Sequence, residues 1–204
     1  MIGIVDYNAG NITSVERALK SLGIDYILSK NPEDLKNCQK LIFPGVGDAA
    51  YAMKELKSLG FESFLKDWVK ADKPLLGICL GSQIIFDWSQ EGDTNCLGLV
   101  KGKIRYFYDI KPDMTEKVPQ IGWNNLVYTN GNCPILKDIP ENNDFYFVHS
   151  FVICPEDESV VKAYAEYGIK VPAVIQQGNL FACQFHPEKS GKVGLQILKN
   201  FSEL

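Results

Sequence analysis

The sequence is poor in histidine and has no paired cysteine motif. His149 and His186 are the two histidines in 204 residues, and no Cys-x-x-Cys occurs. Because structural and catalytic zinc sites draw on several such ligands, we expect no metal site, and no motif indicates a cofactor. The scattered cysteines do not suggest a disulfide framework in a chain of this length, and most are interpreted as small core side chains: Cys38, Cys79, Cys96, Cys133, Cys154 and Cys183.

The sequence also lacks a long apolar run, an excess of basic charge and a basic leader. No apolar stretch approaches the length that spans a bilayer. The net charge of −4 and the pI of about 5.3 do not suit a surface for nucleic acid or anionic membrane. The start, Met1-Ile2-Gly3-Ile4-Val5-Asp6, predicts a strand, not a signal peptide. We therefore expect a cytoplasmic protein, with residues 1–204 forming a single domain.

The first ninety residues alternate between short apolar runs and helical periodicity. Thr13-x-x-Glu16 predicts a capping box at the start of the first helix. Such alternation over short connections predicts an α/β fold with a mostly parallel central sheet and helices on both faces. The predicted strands are 2–5, 24–28, 40–43 and 75–78, and the predicted helices are 12–22, 49–56, 61–69 and 82–88.

The second half is β-rich. Turn residues at 129–132 and 177–179 separate several of its apolar runs, and the second turn predicts a hairpin. An amphipathic helix is predicted at 193–201. The predicted strands are 97–107, 125–128, 145–153, 160–164, 173–176 and 180–185.

Cys79 lies where an apolar strand meets a turn flanked by glycines. Gly77 and Gly81 permit a tight backbone, and the helix predicted from Ser82 directs unpaired N–H groups toward the sulfur. A thiol in such a setting can be a nucleophile, and the next amide can stabilise an oxyanion. The alternative is a buried cysteine at a strand end, which a lone thiol would favour.

Gln184-Phe185-His186-Pro187-Glu188 supplies a candidate base. Strand alternation would place His186 and Glu188 on one face, where the carboxylate can orient the imidazole toward a thiol. Pro187 indicates a strand end or edge. The alternative is a surface His–Glu pair, so the inference depends on the joint occurrence with Cys79. His149 lies in an apolar run without an adjacent carboxylate and is interpreted as a core or wall residue.

Pro44-Gly45-Val46-Gly47-Asp48 ends the third predicted strand. Glycines there let backbone amides approach a ligand, and ligands bind at the carboxyl ends of strands in doubly wound sheets. The loop and Cys79 should therefore lie on one rim. The alternative is a plain turn in which Asp48 caps the next helix.

These residues lie in motifs that resemble the class I, triad-type glutamine amidotransferases, and among them the glutaminase subunits of imidazole glycerol phosphate synthase. The resemblance runs nearly end to end and implies the fold of that class. It rests on Asp6-Tyr7-Asn8-Ala9-Gly10-Asn11, Phe43-Pro44-Gly45-Val46-Gly47, Gly77-Ile78-Cys79-Leu80-Gly81-Ser82-Gln83, Pro119-Gln120-Ile121-Gly122-Trp123-Asn124, Phe145-Tyr146-Phe147-Val148-His149-Ser150 and Phe185-His186-Pro187-Glu188-Lys189-Ser190-Gly191.

The resemblance implies hydrolysis of L-glutamine through a Cys79 thioester. His186 would be the general base and acid, and Glu188 would orient it. The oxyanion donors would be the amide of Leu80 and one from the loop of Gly45, Val46 and Gly47. The positions that match glutamine-contacting segments of the family are Gln83, Ser150 and Phe151.

The resemblance also implies a heterodimer with a (β/α)8 cyclase that takes the ammonia by an internal path. Asn11, Ser14, Trp123 and Lys189 match positions at or near that contact. On the residues alone, Trp123 could equally be a core aromatic and Lys189 a solvated charge.

Two residues depart from the usual pattern of the family. Ser82 stands where Met is common, and Gln120 where His is frequent. They leave open a paralogous glutaminase that feeds a surface-sugar amidotransferase. Gly122-Trp123-Asn124 argues against the vitamin B6 branch, and a complete Cys–His–Glu set disfavours a non-catalytic regulatory subunit. Nothing suggests the extended cleft of a peptidase, and no resolving cysteine near Cys79 suggests an oxidoreductase.

Overall fold

A computed structural model describes residues 1–129 and 131–204. Asn130 lies outside the described residues, so the predicted turn at 129–132 stays a prediction. In chain order the strands are β1 (Ile2–Val5), β2 (Tyr26–Ser29), β3 (Lys40–Gly45), β4 (Leu75–Cys79), β5 (Trp88–Ser89), β6 (Thr94–Asn95), β7 (Gly102–Tyr106), β8 (Gln120–Asn125), β9 (Val127–Tyr128), β10 (Asp144–His149), β11 (Phe151–Pro155), β12 (Val161–Tyr167), β13 (Ile169–Gln177) and β14 (Leu180–Cys183).

Four long helices confirm those predicted at 12–22, 49–56, 61–69 and 193–201, whereas the short helices at 32–35 and 107–110 had no predicted counterpart. They are α1 (Ile12–Ser21), α2 (Pro32–Leu35), α3 (Ala49–Ser58), α4 (Phe61–Lys70), α5 (Leu80–Gln83), α6 (Phe107–Ile110) and α7 (Gly191–Ser202). Short 3₁₀ turns occur at Pro134–Leu136, Glu158–Val160 and Pro187–Lys189.

The central sheet has the strand order β2-β1-β3-β4-β14-β13-β12-β9. The pairs from β2 to β14 are parallel and the remaining pairs are antiparallel. This order confirms a mostly parallel central sheet, and its antiparallel pairs come from the β-rich second half of the chain. Two smaller sheets, β10-β8 and β11-β7-β5-β6, lie outside it.

Apolar side chains cover both faces of the central sheet. One buried cluster contains Val15 and Leu19 of α1 with Phe201 of α7, and the other contains Leu56 of α3 with Leu65 of α4. These helices cover the sheet from opposite sides, as predicted, because each buries one apolar stripe against it.

The helix predicted at 82–88 and the strand predicted at 97–107 are both wrong in extent. Helix α5 ends at Gln83 and β7 begins only at Gly102. One non-local pairing accounts for both differences, because the carbonyls of Ile84, Ile85 and Phe86 accept amides from residues 97–100. Those carbonyls therefore do not continue a helix, and the amides of 97–100 do not join a sheet.

Other predictions divide between confirmed and wrong. Gly178 lies in the tight turn of the β13–β14 hairpin, which confirms the hairpin prediction. The strand predicted at 145–153 breaks at Ser150, because β10 pairs with β8 whereas β11 pairs with β7. The prediction of a Thr13–Glu16 capping box is wrong, since α1 begins at Ile12 and Glu16 instead accepts a hydrogen bond from the Tyr26 hydroxyl. Strand β8 had no predicted counterpart over most of its length.

Within the described part of the chain, no helix combines the length and apolar character that a membrane span needs.

Candidate active site

Cys79 is the last residue of β4, in the interior of the central sheet. Its backbone takes φ 54° and ψ −110°, a conformation that costs a non-glycine residue on the order of 1–3 kcal/mol. The turn is held tightly: a Cβ on Gly81 would overlap the carbonyl oxygen of Phe43, and the Ser82 hydroxyl donates to the Cys79 carbonyl at 2.6 Å. The thiol is 7% exposed and faces the Val148 carbonyl at 3.8 Å.

His186 and Glu188 meet through a 3₁₀ turn and not through strand alternation, so that part of the prediction is wrong. Strand β14 ends at Cys183, and Pro187 opens the 3₁₀ turn beyond its end. The strand lies between β4 and β13, so Pro187 follows an interior strand and not an edge. His186 Nδ1 and Glu188 Oε1 are 2.7 Å apart, with both side chains almost fully buried.

The two histidines have opposite electrostatic surroundings. Burial disfavours the charged imidazole of His186, but the neighbouring Cys79 and the Glu188 carboxylate, which Nδ1 contacts at 2.7 Å, outweigh it and raise its pKa to about 9. Burial lowers the pKa of His149 to about 4, against a partial opposing effect of the Phe151 carbonyl. His149 is thus a neutral wall residue: its Nδ1–H donates to the Phe151 carbonyl at 2.8 Å, and its Nε2, 2.9 Å from the Gln120 side-chain amide, accepts from the NH2 group of that amide, because a neutral ring has one N–H to donate.

A cavity of about 380 Å³ brings most of the predicted site residues together. Among the predicted catalytic and glutamine-binding residues, Gly45 and Glu188 do not line it: Gly45 pairs with Cys79 across β3 and β4, and Glu188 lies behind His186. Asn11, Ser14 and Trp123, predicted at a partner contact, lie outside the cavity as well. The predicted residues that line the cavity are Val46, Gly47, Cys79, Leu80, Gln83, Ser150, Phe151, His186 and Lys189. A volume of this size suits a small ligand such as an amino acid.

The predicted oxyanion donors differ in availability. The N–H of Leu80 follows Cys79 and opens α5, so no carbonyl within the helix can accept it. The N–H of Val46 instead donates to the Ala9 carbonyl at 2.8 Å. In this conformation Val46 therefore does not present its amide to the cavity. Asp48 also caps α3 by accepting the Tyr51 N–H at 2.8 Å, so the plain-turn interpretation of this loop holds for Asp48.

The Gln83 amide is fixed in one orientation. Its Nε2 donates to the Phe151 carbonyl at 3.1 Å and to Gln184 Oε1 at 2.9 Å. Because a carbonyl can only accept, the reversed amide would place two acceptors together. This arrangement leaves the oxygen of Gln83 as the group that can face a ligand.

Glu91 lines the cavity and was missed by the sequence analysis. Its Oε2 accepts the Ala49 N–H at 3.0 Å, at the start of α3. Burial first, and then the nearby Asp48, raise the pKa of the carboxyl, against the Ala49 bond. No local motif marks Glu91, because it lies in a turn after β5 and only the tertiary fold brings it to the cavity.

The residues predicted at a partner contact surround the 3₁₀ turn that carries Glu188. Trp123 is 58% exposed, so the alternative of a core aromatic is wrong, and its ring packs edge-on against Tyr146 at 5.9 Å. Lys189 Nζ lies 5.9 Å from the same Tyr146 ring. Asn11 accepts the Ser14 hydroxyl at 3.2 Å, and Ser14 lines a groove that also borders Glu188.

The two departures from the family pattern have internal roles. Ser82 bonds the carbonyl of Cys79, and Gln120 bonds His149. Neither side chain is exposed, so neither bears on which partner the chain contacts. Among the described residues, no group of three or more His, Cys, Asp and Glu side chains could hold a metal ion.

A thiol at a strained strand end, in one cavity with a buried His–Glu pair, is the arrangement typical of cysteine enzymes that form acyl intermediates. The family described as "Glutamine amidotransferase class-I" matches residues 3–203. Solved structures agree in fold: one described as a glutamine amidotransferase covers 100% of this chain and 99% of its own at a TM-score of 0.76 and 20% identity. The structure of PurLQS from Thermotoga maritima matches 98% of this chain and 96% of its own, with a TM-score of 0.75 and 18% sequence identity.

Curated relatives are more similar in sequence. The imidazole glycerol phosphate synthase subunit HisH of Halalkalibacterium halodurans is 45% identical over 100% of this chain and 96% of its own length. The HisH subunit of Nitratidesulfovibrio vulgaris (strain Miyazaki F) is 47% identical over 98% of this chain and 95% of its own length. The chain therefore belongs to the class I glutamine amidotransferases and, within them, to the HisH family.

Proposed function

We propose that the chain is the glutaminase subunit of an imidazole glycerol phosphate synthase and hydrolyses L-glutamine to glutamate and ammonia. The observation that carries this proposal is the joint placement of Cys79 and His186 on one cavity, with Glu188 bonded to the far nitrogen of His186 at 2.7 Å. Relatives named HisH, at 42–47% identity, support the assignment to histidine biosynthesis.

The reaction proceeds in two acyl-transfer steps. The Cys79 thiolate attacks the side-chain amide carbon of glutamine, and the C–N bond breaks as the His186 imidazolium protonates the leaving nitrogen to give ammonia. Water then attacks the γ-glutamyl thioester while His186 accepts its proton. The C–S bond breaks, glutamate leaves, and the thiolate is restored. Glu188 keeps the imidazole in the required orientation throughout.

The Leu80 amide stabilises the oxyanion in both steps. The Val46 N–H can become a second donor only when it releases the Ala9 carbonyl, which it contacts at 2.8 Å.

Glutamine is recognised by polar groups that line the cavity beside Cys79. Glu91 is the one carboxylate that lines the cavity in the described part of the chain, and it complements the α-ammonium group. The Gln83 oxygen accepts a second hydrogen bond, and the segment of Ser150 and Phe151 borders the α-carboxylate.

The ammonia passes to a cyclase subunit of (β/α)8 fold that docks beside the 3₁₀ turn. The exposed ring of Trp123 and the charge of Lys189, both packed on Tyr146, support this face as the contact. Residues 1–204 act as one domain, because the central sheet combines β1 with β14. A cytoplasmic location suits a reactive free thiol, which needs a reducing compartment.

The test of this proposal is product formation by the chain together with a histidine-pathway cyclase subunit and its ribotide substrate. With L-glutamine as nitrogen donor, imidazole glycerol phosphate should form only when both subunits are present. With an ammonium salt, the cyclase alone should suffice. Glutamate release without any transfer of nitrogen to the ribotide would retain the hydrolase and contradict the assigned partner.

A further inference from the structure

Ser190 is a buried hydroxyl for which the mechanism above has no role. It lies between the 3₁₀ turn Pro187–Lys189 and helix α7, and it is 2% exposed. Its Oγ donates to the His186 carbonyl at 2.6 Å and accepts the Tyr146 N–H at 3.0 Å. The hydroxyl therefore uses both its donor and an acceptor position on backbone groups.

These bonds are part of a closed network of hydrogen bonds around the backbone of His186. The N–H of His186 donates to the Tyr146 carbonyl at 2.9 Å, so both polar backbone groups of His186 are tied to Tyr146, one directly and one through Ser190. Tyr146 belongs to β10, whose other edge pairs with β8. The Ser190 hydroxyl thus joins the segment that carries His186 to the open edge of β10.

The same strand contacts Cys79. The Val148 carbonyl, two residues beyond Tyr146, lies 3.8 Å from the Cys79 sulfur. Strand β10 is therefore the common support against which the thiol and the imidazole are both placed, and Ser190 fixes the imidazole side of it.

We propose that Ser190 is a positioning residue whose hydroxyl holds the His186 imidazole in register with Cys79; this inference rests on the proposed glutaminase function. Glu188 fixes how the ring is turned, whereas Ser190 fixes where its backbone lies. A sub-ångström displacement of His186 weakens proton transfer much more than it weakens glutamine binding.

The variants that test this are Ser190→Ala and Ser190→Cys. The first removes both hydrogen bonds, and the second keeps a weaker donor and acceptor on a slightly larger, unbranched side chain. A side chain branched at Cβ is unsuitable, because Gly194 packs closely against the Ser190 Cβ. Asn200→Ala is the matched control: Asn200 lies in α7, the helix that Ser190 precedes, is 6% exposed, and donates to the carbonyls of Ile135 and Lys137 at 3.1 and 2.7 Å.

Glutamate release by the complex with the cyclase subunit should show a kcat lowered about tenfold or more in Ser190→Ala, with an intermediate value in Ser190→Cys. The KM for glutamine should stay within about twofold. Asn200→Ala should lower the melting temperature similarly but leave kcat unchanged. A wild-type kcat in folded Ser190→Ala, or an equal loss in Asn200→Ala, would overturn the proposal.

A second readout separates this inference from the proposed function. The rate of Cys79 alkylation by iodoacetamide, followed against pH in the isolated chain, reports on the thiol and imidazole without glutamine turnover. For Ser190→Ala the curve should move to higher pH, because a displaced imidazolium supports the thiolate less. Superimposed curves would overturn the role of Ser190, even if the wild-type chain releases no glutamate and the proposed function itself fails.

Discussion

His186 owes its chemistry to neighbours that act in opposite directions. Burial alone would make its imidazole a weak base, yet Cys79 and Glu188 raise its pKa to about 9. His149 receives no such support and is held neutral by burial, with its pKa lowered to about 4. Two buried histidines in one cavity therefore take different parts, one charged beside the thiol and one a neutral wall.

Replacing His186 should cost more than replacing its orienting carboxylate. We expect His186→Ala to lower kcat for glutamate release by about 10⁶-fold, and Glu188→Gln by about 10⁴-fold, because the amide still contacts Nδ1 but favours the wrong tautomer. Steady-state kinetics of the complex measure both. Glu203→Gln, at an exposed carboxylate near the end of α7, is the matched control and should be silent. Equal losses at His186 and Glu188 would contradict the division of roles.

Glu91 should act on binding and not on turnover. For Glu91→Gln we expect KM for glutamine to rise by about tenfold or more with kcat little changed, because the lost charge complements the α-ammonium group in ground state and transition state alike. Kinetics across glutamine concentrations separate the two constants. Glu62→Gln, on the exposed side of α4, is the control. A fall in kcat at unchanged KM would assign Glu91 to the chemistry instead.

At the scale of elements, the long helices and the parallel strands of the central sheet follow from local pattern, whereas strands β7, β8, β10 and β11 of the smaller sheets and the connections do not. Helices α1, α3, α4 and α7 were predicted because each carries an apolar stripe of helical period. The end of α5 and the start of β7 depend on the bonds between residues 84–86 and 97–100, which are distant in sequence. Local periodicity contains no information about such a pairing.

Some residues of the candidate site could be predicted from local sequence, and others could not. Cys79, His186 and Glu188 were found because glycines, proline and a short motif mark them in the sequence. Glu91 has no such mark and reaches the cavity only through the packing of its turn against α3. The state of the Val46 amide was likewise beyond the sequence, since it depends on the Ala9 carbonyl of another loop.

The strand-to-helix turn at Cys79 should depend on Gly81. A Cβ there would overlap the Phe43 carbonyl oxygen, so we expect Gly81→Ala to lower the free energy of unfolding by about 2–3 kcal/mol and to displace Cys79. Urea denaturation measures the loss. Gly23→Ala is the control: its φ is +66° but its surroundings are open, so only the backbone conformation is penalised, at about 1 kcal/mol. A smaller loss at Gly81 than at Gly23 would contradict this description of the turn.

At the scale of the whole molecule, His149 should make stability depend on acid pH. Its folded pKa of about 4 lies below the ordinary 6.5, so the unfolded chain binds the proton first and stability is lost as pH falls from 6.5 toward 4. Relative to His149→Gln, the wild type should lose up to about 3 kcal/mol over that window. Denaturation series between pH 7 and 4.5 measure the difference. A difference that does not vary with pH would mean that the fold does not lower the pKa of His149, and would contradict this account.

The contribution of His186 to folding stability should change with pH in the opposite direction. Because its folded pKa is raised to about 9, its contribution to stability is complete below pH 6.5 and declines as pH rises through 9. The two histidines therefore favour a stability maximum in the neutral range.

The most direct test of the central claim is glutamate release from L-glutamine by the complex with the cyclase subunit and its ribotide substrate, for wild type and Cys79→Ala in parallel. The wild type should turn over glutamine, and the variant should release no glutamate above the background while still folding and binding the cyclase. Glutamate release by Cys79→Ala at a rate near that of the wild type would contradict a thioester mechanism at this cavity.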